Sequence, residues 1–296
     1  NALTHNPFSQ FLINKVIGYM DAPKLSPHPT QRIDKSFFYS ETRYQKLSSV
    51  ETQNVVFLVQ DAFTSSYESQ LLADTVIALN GLGFYPLILP FQVNGKAQHV
   101  KGFLTRFAKT AASTSQFLNQ LSELSIPMIG LDASLVLCYR DEYQQILQDK
   151  RGKFEVLLAH EWLITLLDHQ NIKQCADSSA EQTSADKNVD FKLFAHCTEK
   201  TALAGSEKQW QQIFAAFGLS LAPIPVGCCG MAGTYGHEKV NLANSTQLYQ
   251  MSWQEKIAQL APQQIVATGY SCRSQVKRLG GIQTRHPVEV LLSTLD

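Results

Sequence analysis

Pro225-Val226-Gly227-Cys228-Cys229-Gly230-Met231-Ala232-Gly233-Thr234-Tyr235-Gly236-His237 places two adjacent cysteines among four glycines. Neighbouring side chains on a strand face opposite ways, so both thiols reach one ligand only where the backbone turns, and flanking glycines permit that turn. The stretch reads as a turn built around a ligand. Two more cysteines complete the set, Cys197 in Phe194-Ala195-His196-Cys197-Thr198 and Cys272 in Thr268-Gly269-Tyr270-Ser271-Cys272-Arg273. Each follows an apolar run that reads as a strand. A thiol between a strand and a helix gains from the helix's free N–H groups and the positive end of its dipole.

Working outward, the elements around these cysteines alternate. Phe191 to Ala195, Leu219 to Pro225 and Ile265 to Thr268 read as strands. Helices are expected through Trp210, Ile213, Phe214 and Phe217, across Gln247 to Leu260, and from Arg273 onward. The same succession precedes them. Val55-Val56-Phe57-Leu58-Val59 is a continuous apolar run, as in a strand buried on both faces, and Phe84 to Leu89 and Pro127 to Leu131 read as further strands. Helices are expected over Leu71 to Leu79, Leu104 to Leu121, around Arg140 to Leu147, and over Glu155 to His169. Alternation of this kind predicts an α/β fold with open parallel sheets. Four segments follow: a Pro- and aromatic-containing arm or linker over 1–53, a first α/β repeat over 54–172, a polar linker over 173–190, and a second repeat over 191–296.

Spacing supports an internal duplication. Gly83 to Gly95 spans twelve residues, as does Gly218 to Gly230, so Val93-Asn94-Gly95 falls on Cys228-Cys229-Gly230. Ala62 lies thirty-two residues before Asn94, and Cys197 thirty-two before Cys229. Leu135 likewise falls on Cys272. The expected architecture is two pseudo-symmetric halves, the first lacking the cysteines, binding no metal and closing its equivalent pocket with apolar side chains.

Lys plus Arg and Asp plus Glu number 25 each, so no basic surplus points to nucleic acid. No apolar run reaches the roughly 20 residues of a transmembrane helix. Position 1 is Asn and its surroundings lack a signal pattern, which suggests a fragment or processed product. The sparse cysteines of so long a chain suggest reduced, metal-binding thiols in a cytoplasmic protein. Cys138 reads as a small buried hydrophobe, and Cys175, opening the polar linker, as an incidental thiol. His196 and His237 flank the cysteines, and either could orient a sulfur or bind a substrate carboxylate; Arg273 could offset thiolate charge. His286-Pro287 reads as a helix start with Pro at the first position. No Gly-x-Gly-x-x-Gly follows Val55 to Val59, and no Walker or His-Glu-x-x-His sequence occurs, which leaves nucleotide binding and hydrolytic zinc chemistry unsupported.

Cys197, then Cys228-Cys229-Gly230-Met231-Ala232-Gly233-Thr234-Tyr235, then Gly269-Tyr270-Ser271-Cys272-Arg273-Ser274-Gln275 and Arg285-His286-Pro287-Val288-Glu289, resembles the cysteine-rich CCG domain family. That family includes heterodisulfide reductase B subunits and the iron–sulfur subunits of glycolate oxidase and anaerobic glycerol-3-phosphate dehydrogenase. It also includes the C-terminal portions of long FAD-linked D-2-hydroxyacid dehydrogenases acting on D-lactate or D-2-hydroxyglutarate, the group this chain resembles most. The resemblance covers residues 54–296. It implies that Cys197, Cys228, Cys229 and Cys272 bind an iron–sulfur cluster such as 4Fe-4S, or zinc, with Gln275 standing where the family has a final cysteine. It further implies an electron-transfer module taking electrons from FAD in an upstream domain to an acceptor such as a quinone. Upstream FAD-binding and ferredoxin-like domains would be the partners, at a cytoplasmic or inner-membrane-peripheral location. A structural zinc module without redox work is the alternative. A thiol–disulfide enzyme using Cys228-Cys229 is disfavoured, because adjacent cysteines close only a strained ring.

Overall fold

A computed structural model describes residues 6–20, 23–168 and 185–295. β1 (Val55–Leu58) is buried along its whole length because it is central. It pairs in parallel with β2 (Tyr85–Ile88) on one side and β3 (Met128–Gly130) on the other, and β4 (Leu157–Leu158) completes the order β2-β1-β3-β4. The principal helices of this half are α1 (Ala62–Tyr67), α2 (Ser69–Gly81), α3 (Leu104–Ser122), α4 (Ala133–Arg140), α5 (Glu142–Leu147) and α6 (Ala159–Asp168).

The second half repeats the plan. β5 (Asp190–Phe194) lies between β6 (Ser220–Pro223) and β7 (Ile265–Ala267), all parallel, in the order β6-β5-β7. A single parallel bridge, Val266 to Arg285, takes the place that the Ile129 to Leu157 pairing of β3 and β4 holds in the first half. Its helices are α7 (Cys197–Ala202), α8 (Ser206–Ala216), α9 (Leu242–Tyr249), α10 (Glu255–Ala258), α11 (Tyr270–Gly280) and α12 (Pro287–Leu292). The expected α/β architecture of two open parallel-sheet halves is therefore present.

Three helix expectations need correction. The helix placed around Arg140 begins at Ala133, because the Asp132 carboxylate accepts from the N–H groups of Ser134 and Leu135 and caps it there. The apolar stretch from Glu155 is not helical throughout: Leu157-Leu158 join the sheet edge, and the Glu161 carboxylate accepts from the Leu158 N–H at 2.8 Å where the helix starts. The helix across Gln247 to Leu260 is three pieces, since a π-turn over Gln250–Gln254 joins α9 to α10. At the C-terminus, His286 caps α12 with Pro287 in its first position, as expected.

The halves exchange helices. α6 of the first half packs on α8 of the second, and α12 of the second packs on α2 of the first. One hydrophobic cluster results, with Leu72 and Val76 of α2, Trp162 of α6, Trp210 and Phe214 of α8, and Leu291 of α12 all within it. The exchange is anchored by polar contacts. The Arg273 guanidinium, on α11, pairs with Glu68 just before α2, and donates to the carbonyls of Ala267 and Thr268 at 2.8 and 3.0 Å. The Asp132 carboxylate also accepts from the Tyr270 N–H at 3.2 Å, and the Tyr270 ring stacks on Phe63 and Tyr67.

The N-terminal segment packs over both halves. The Tyr39 N–H donates to the Ile88 carbonyl at the edge of β2, and its ring meets Phe57 edge-on. Earlier, Tyr19 bridges antiparallel to Glu238 of the second half. Of the polar linker, residues 173–184, with Cys175, lie outside the described residues. Its end is tied down by Asp186, which pairs with Arg285 at 2.7 Å and accepts from the Ser293 hydroxyl.

Arg273 is only 4% exposed, and stripping a buried charge of its partner is costly. Glu68→Gln is expected to lower stability by about 3 kcal/mol, the low end for a broken buried pair. Urea unfolding with an unchanged slope checks this. A loss below about 1 kcal/mol contradicts the importance given to the pair.

Candidate metal centre

Each thiol is placed by a local device. Cys197 is the first residue of α7, straight after β5, and the His196 imidazole caps that helix by accepting from the Thr198 N–H at 3.3 Å. Cys272 lies in the first turn of α11. Gly269 before it is required, because a Cβ there would sit 2.3 Å from the His196 ring.

Cys228 and Cys229 lie on the loop after β6. Gly230 adopts φ +87°, and a Cβ would come within 2.2 Å of the Ser245 carbonyl oxygen, so no other residue follows the pair without displacing α9. The loop is pinned along its length. Gly227 donates to the Ser252 hydroxyl at 2.6 Å and its carbonyl accepts from the Trp253 indole at 3.0 Å. Lys200 and Lys256 donate to the carbonyls of Val226 and Pro225, and Gly233 donates to the Ser271 hydroxyl at 3.1 Å.

All four sulfurs come together. Cys197 lies beside Cys228, Cys228 beside Cys229, and Cys229 beside Cys272, each near enough to shift its neighbour's pKa. Cys229 and Cys272 are 3% and 1% exposed, while Cys197 and Cys228 are half-buried and form the open side. The Cys228 sulfur accepts from both neighbouring thiols and from the Gly230 N–H at 3.4 Å, which holds its pKa well below the usual thiol range. Donation to Cys228 pushes Cys197 and Cys229 up correspondingly, with burial adding to the effect. Cys228 is thus the sulfur of the set that its neighbours favour as thiolate. Among the described residues no three His, Cys, Asp or Glu side chains already stand in a metal-gripping arrangement. The chemistry of the set nonetheless suits a thiophilic centre, with four sulfur donors converging, two of them buried.

The flanking residues divide. His196 is buried, which pushes its pKa down, and it lies against the Cys272 helix. His237 faces the N-terminal segment, where its ring stacks on Tyr19 at 5.6 Å. Arg273 turns toward Glu68: burial works against its charge and Glu68 more than offsets that. Sequence reasoning gave no part to Ser252, Trp253, Asp132 or Glu68; the last two act across more than 130 residues. Gln275 is fully buried and its amide donates to the Ser245 hydroxyl at 3.0 Å, bracing α9 against α11.

The equivalent place in the first half holds no thiol set. The expected apolar plug is replaced by an amide. Asn94, in the position of Cys229, donates to the Leu135 carbonyl at 3.0 Å, and its own carbonyl accepts from Tyr143 at 2.7 Å. Leu135 is buried, but Val93 is 54% exposed and Ala62 is also exposed. A hydrogen bond ties the same loop to the same helix there, because Asn can donate where a neutral thiol donates weakly. Cys138 is fully buried, as expected of a small hydrophobe.

No family model matches the chain. It is 46% identical over 298 residues to a D-2-hydroxyglutarate dehydrogenase of Escherichia coli, a match covering 100% of this chain and 28% of that protein. A D-2-hydroxyglutarate dehydrogenase of Pseudomonas putida is 39% identical over 290 residues, covering 96% and 27%. One subunit of the anaerobic glycerol-3-phosphate dehydrogenase of Escherichia coli is 23% identical over 259 residues, covering 85% and 62%. The chain therefore spans less than a third of the length of the D-2-hydroxyglutarate dehydrogenases it matches.

The Gly230 geometry yields a test. Gly230→Ala forces the loop away from α9, so Cys229 and Cys272, shielded in the wild type, are expected to react with a thiol reagent at least about tenfold faster, following the increase in their exposed population. Unchanged kinetics for both would show that the loop does not depend on this glycine.

Proposed function

We propose that this chain is the thiolate-bound electron-transfer module of a larger FAD-linked D-2-hydroxyacid dehydrogenase, a member of the CCG type. The observation that carries the reading is the convergence of Cys197, Cys228, Cys229 and Cys272 from two helix starts and one loop of one half, while the matching places of the other half carry Ala62, Val93, Asn94 and Leu135. Similarity to D-2-hydroxyglutarate dehydrogenases supports D-2-hydroxyglutarate as the substrate of the whole protein. No helix among the described residues is long and apolar enough to cross a membrane.

The four cysteines would hold an iron–sulfur cluster, which when bound supplies one-electron transfer. The chain's own residues prepare that role. Burial of Cys229 and Cys272 keeps water from the inner face, and N–H donation from Gly230 to Cys228 stabilises thiolate character on that sulfur. Half-exposed Cys197 and Cys228 leave one side open to a partner. FAD and substrate would sit elsewhere in the polypeptide.

The test is iron and acid-labile sulfide analysis of the complete polypeptide prepared without oxygen. One centre per chain is expected, with broad visible absorption that D-2-hydroxyglutarate partly bleaches. Cys228→Ser should lose the metal and keep the far-ultraviolet circular dichroism, since a core of this size stands without a metal staple. Stoichiometric zinc without sulfide would establish the structural zinc module in its place.

A further inference from the structure

A buried acid joins the two helix starts of the thiol site. Glu199 lies two residues after Cys197 on α7 and is 1% exposed. Its carboxylate accepts from the Trp210 indole N–H, on α8, at 3.2 Å and from the Thr268 hydroxyl. That hydroxyl in turn accepts from the His196 N–H at 2.9 Å. Thr268 directly follows β7 and precedes Gly269, the cap of α11, which carries Cys272 in its first turn. The chain of bonds therefore runs from the start of α7, where Cys197 sits, to the strand end that feeds Cys272.

Packing alone gives no reason for an acid here. Burying a carboxylate is costly unless donors meet it, and well-packed apolar replacements of buried charges are often neutral for stability. The His160 Nδ1, from the first half, stands 3.8 Å from the carboxylate, beyond hydrogen-bond reach. The half without the thiol set also does without the pair. By the register that places Ala62 on Cys197 and Leu135 on Cys272, Thr64 falls on Glu199 and Leu131 on Thr268. There the Thr64 hydroxyl donates at 2.6 Å to Asp61, the cap of its own helix, and Leu131 is a buried apolar side chain. The acid–hydroxyl link between α7 and the end of β7 thus accompanies the thiols.

We propose that Glu199 and Thr268 are positioning residues of the thiol site, holding the helix starts of Cys197 and Cys272 at the separation that one metal centre requires. The proposal rests on the reading of the four cysteines as a single site and names what sets its spacing. Neither residue is a ligand. They act through the backbone: the Thr268 hydroxyl takes the N–H directly before Cys197, and Thr268 itself stands directly before the cap of the Cys272 helix. Groups of this kind orient metal ligands, and their loss costs about 10–100-fold in metal affinity.

The complete polypeptide, stripped of metal without oxygen, is titrated with Co²⁺, whose sulfur-bound form absorbs visible light. A second portion is labelled with a thiol reagent and mapped by mass spectrometry. Thr268→Val keeps the shape and removes the hydroxyl, Thr268→Ser keeps the hydroxyl, and Glu199→Gln keeps the length and loses one acceptor. Thr268→Val and Glu199→Gln should each weaken Co²⁺ binding about tenfold or more. Both should also raise the labelling rate of Cys272 relative to Cys138 about tenfold, while Thr268→Ser matches the wild type. Cys138 is fully buried in the first half, so a general loosening speeds both thiols and leaves their ratio unchanged. An unchanged ratio in Thr268→Val, or Thr268→Ser behaving as Thr268→Val does, overturns the proposal. The Thr268 pair decides alone should Glu199→Gln fail to fold. Co²⁺ binding by the wild type separates the two readings. No sulfur-bound Co²⁺, with a ratio that rises in Thr268→Val and not in Thr268→Ser, overturns the metal reading and supports the link between the helix starts; sulfur-bound Co²⁺ that no variant weakens overturns the positioning role alone.

Discussion

A buried arginine beside a cysteine makes the two halves one object. Arg273 follows Cys272 directly, and its charge lies too deep to go unpaired. Its carboxylate comes from Glu68 in the other half. Asp132, also from that half, receives the Tyr270 N–H two residues before Cys272, and Phe63 and Tyr67 hold the Tyr270 ring. The helix presenting Cys272 is thus set in place by residues of the half that lacks the four-cysteine set. That half has a role without a thiol set of its own: it is the second jaw of a clamp on the half that has one.

The other three thiols depend on short-range constraints. Gly230 brings Cys228 and Cys229 to the site by a conformation and an approach that a side chain forbids, while Ser252, Trp253 and two lysines hold the loop's polar backbone. Cys197 arrives by being the first residue of a helix at the end of β5. The first half shows an alternative solution to the same closure. There Asn94 and Tyr143 join loop to helix by hydrogen bonds, a join needing no ligand.

Much of this was legible in the chain, because the signals are local. Val55 to Leu58 reads as a buried strand from four apolar residues in a row, and equal glycine spacing in the two halves anticipates equal strand order. The cysteines stand out by type and by neighbouring glycines. What escaped is what acts between distant residues. Nothing near Glu68 or Asp132 marks them as partners of α11, more than 130 residues away. The strand role of Leu157-Leu158 was hidden because a short apolar run suits a helix or a strand equally, and the sheet edge decides. Arg273 reads naturally as a counter-charge for its neighbouring thiol until its pairing across the halves is seen.

On the reading proposed above, four sulfurs of one half, and no donor of the other, hold a single redox centre. X-ray absorption at the iron and zinc edges of the complete polypeptide, prepared without oxygen, tests it most directly. An iron edge with a first shell of sulfur alone, and an iron–iron distance in the second shell, is expected, all lost in Cys272→Ser. A zinc edge with four sulfurs and no iron, or iron with nitrogen and oxygen neighbours that survives Cys272→Ser, would contradict it.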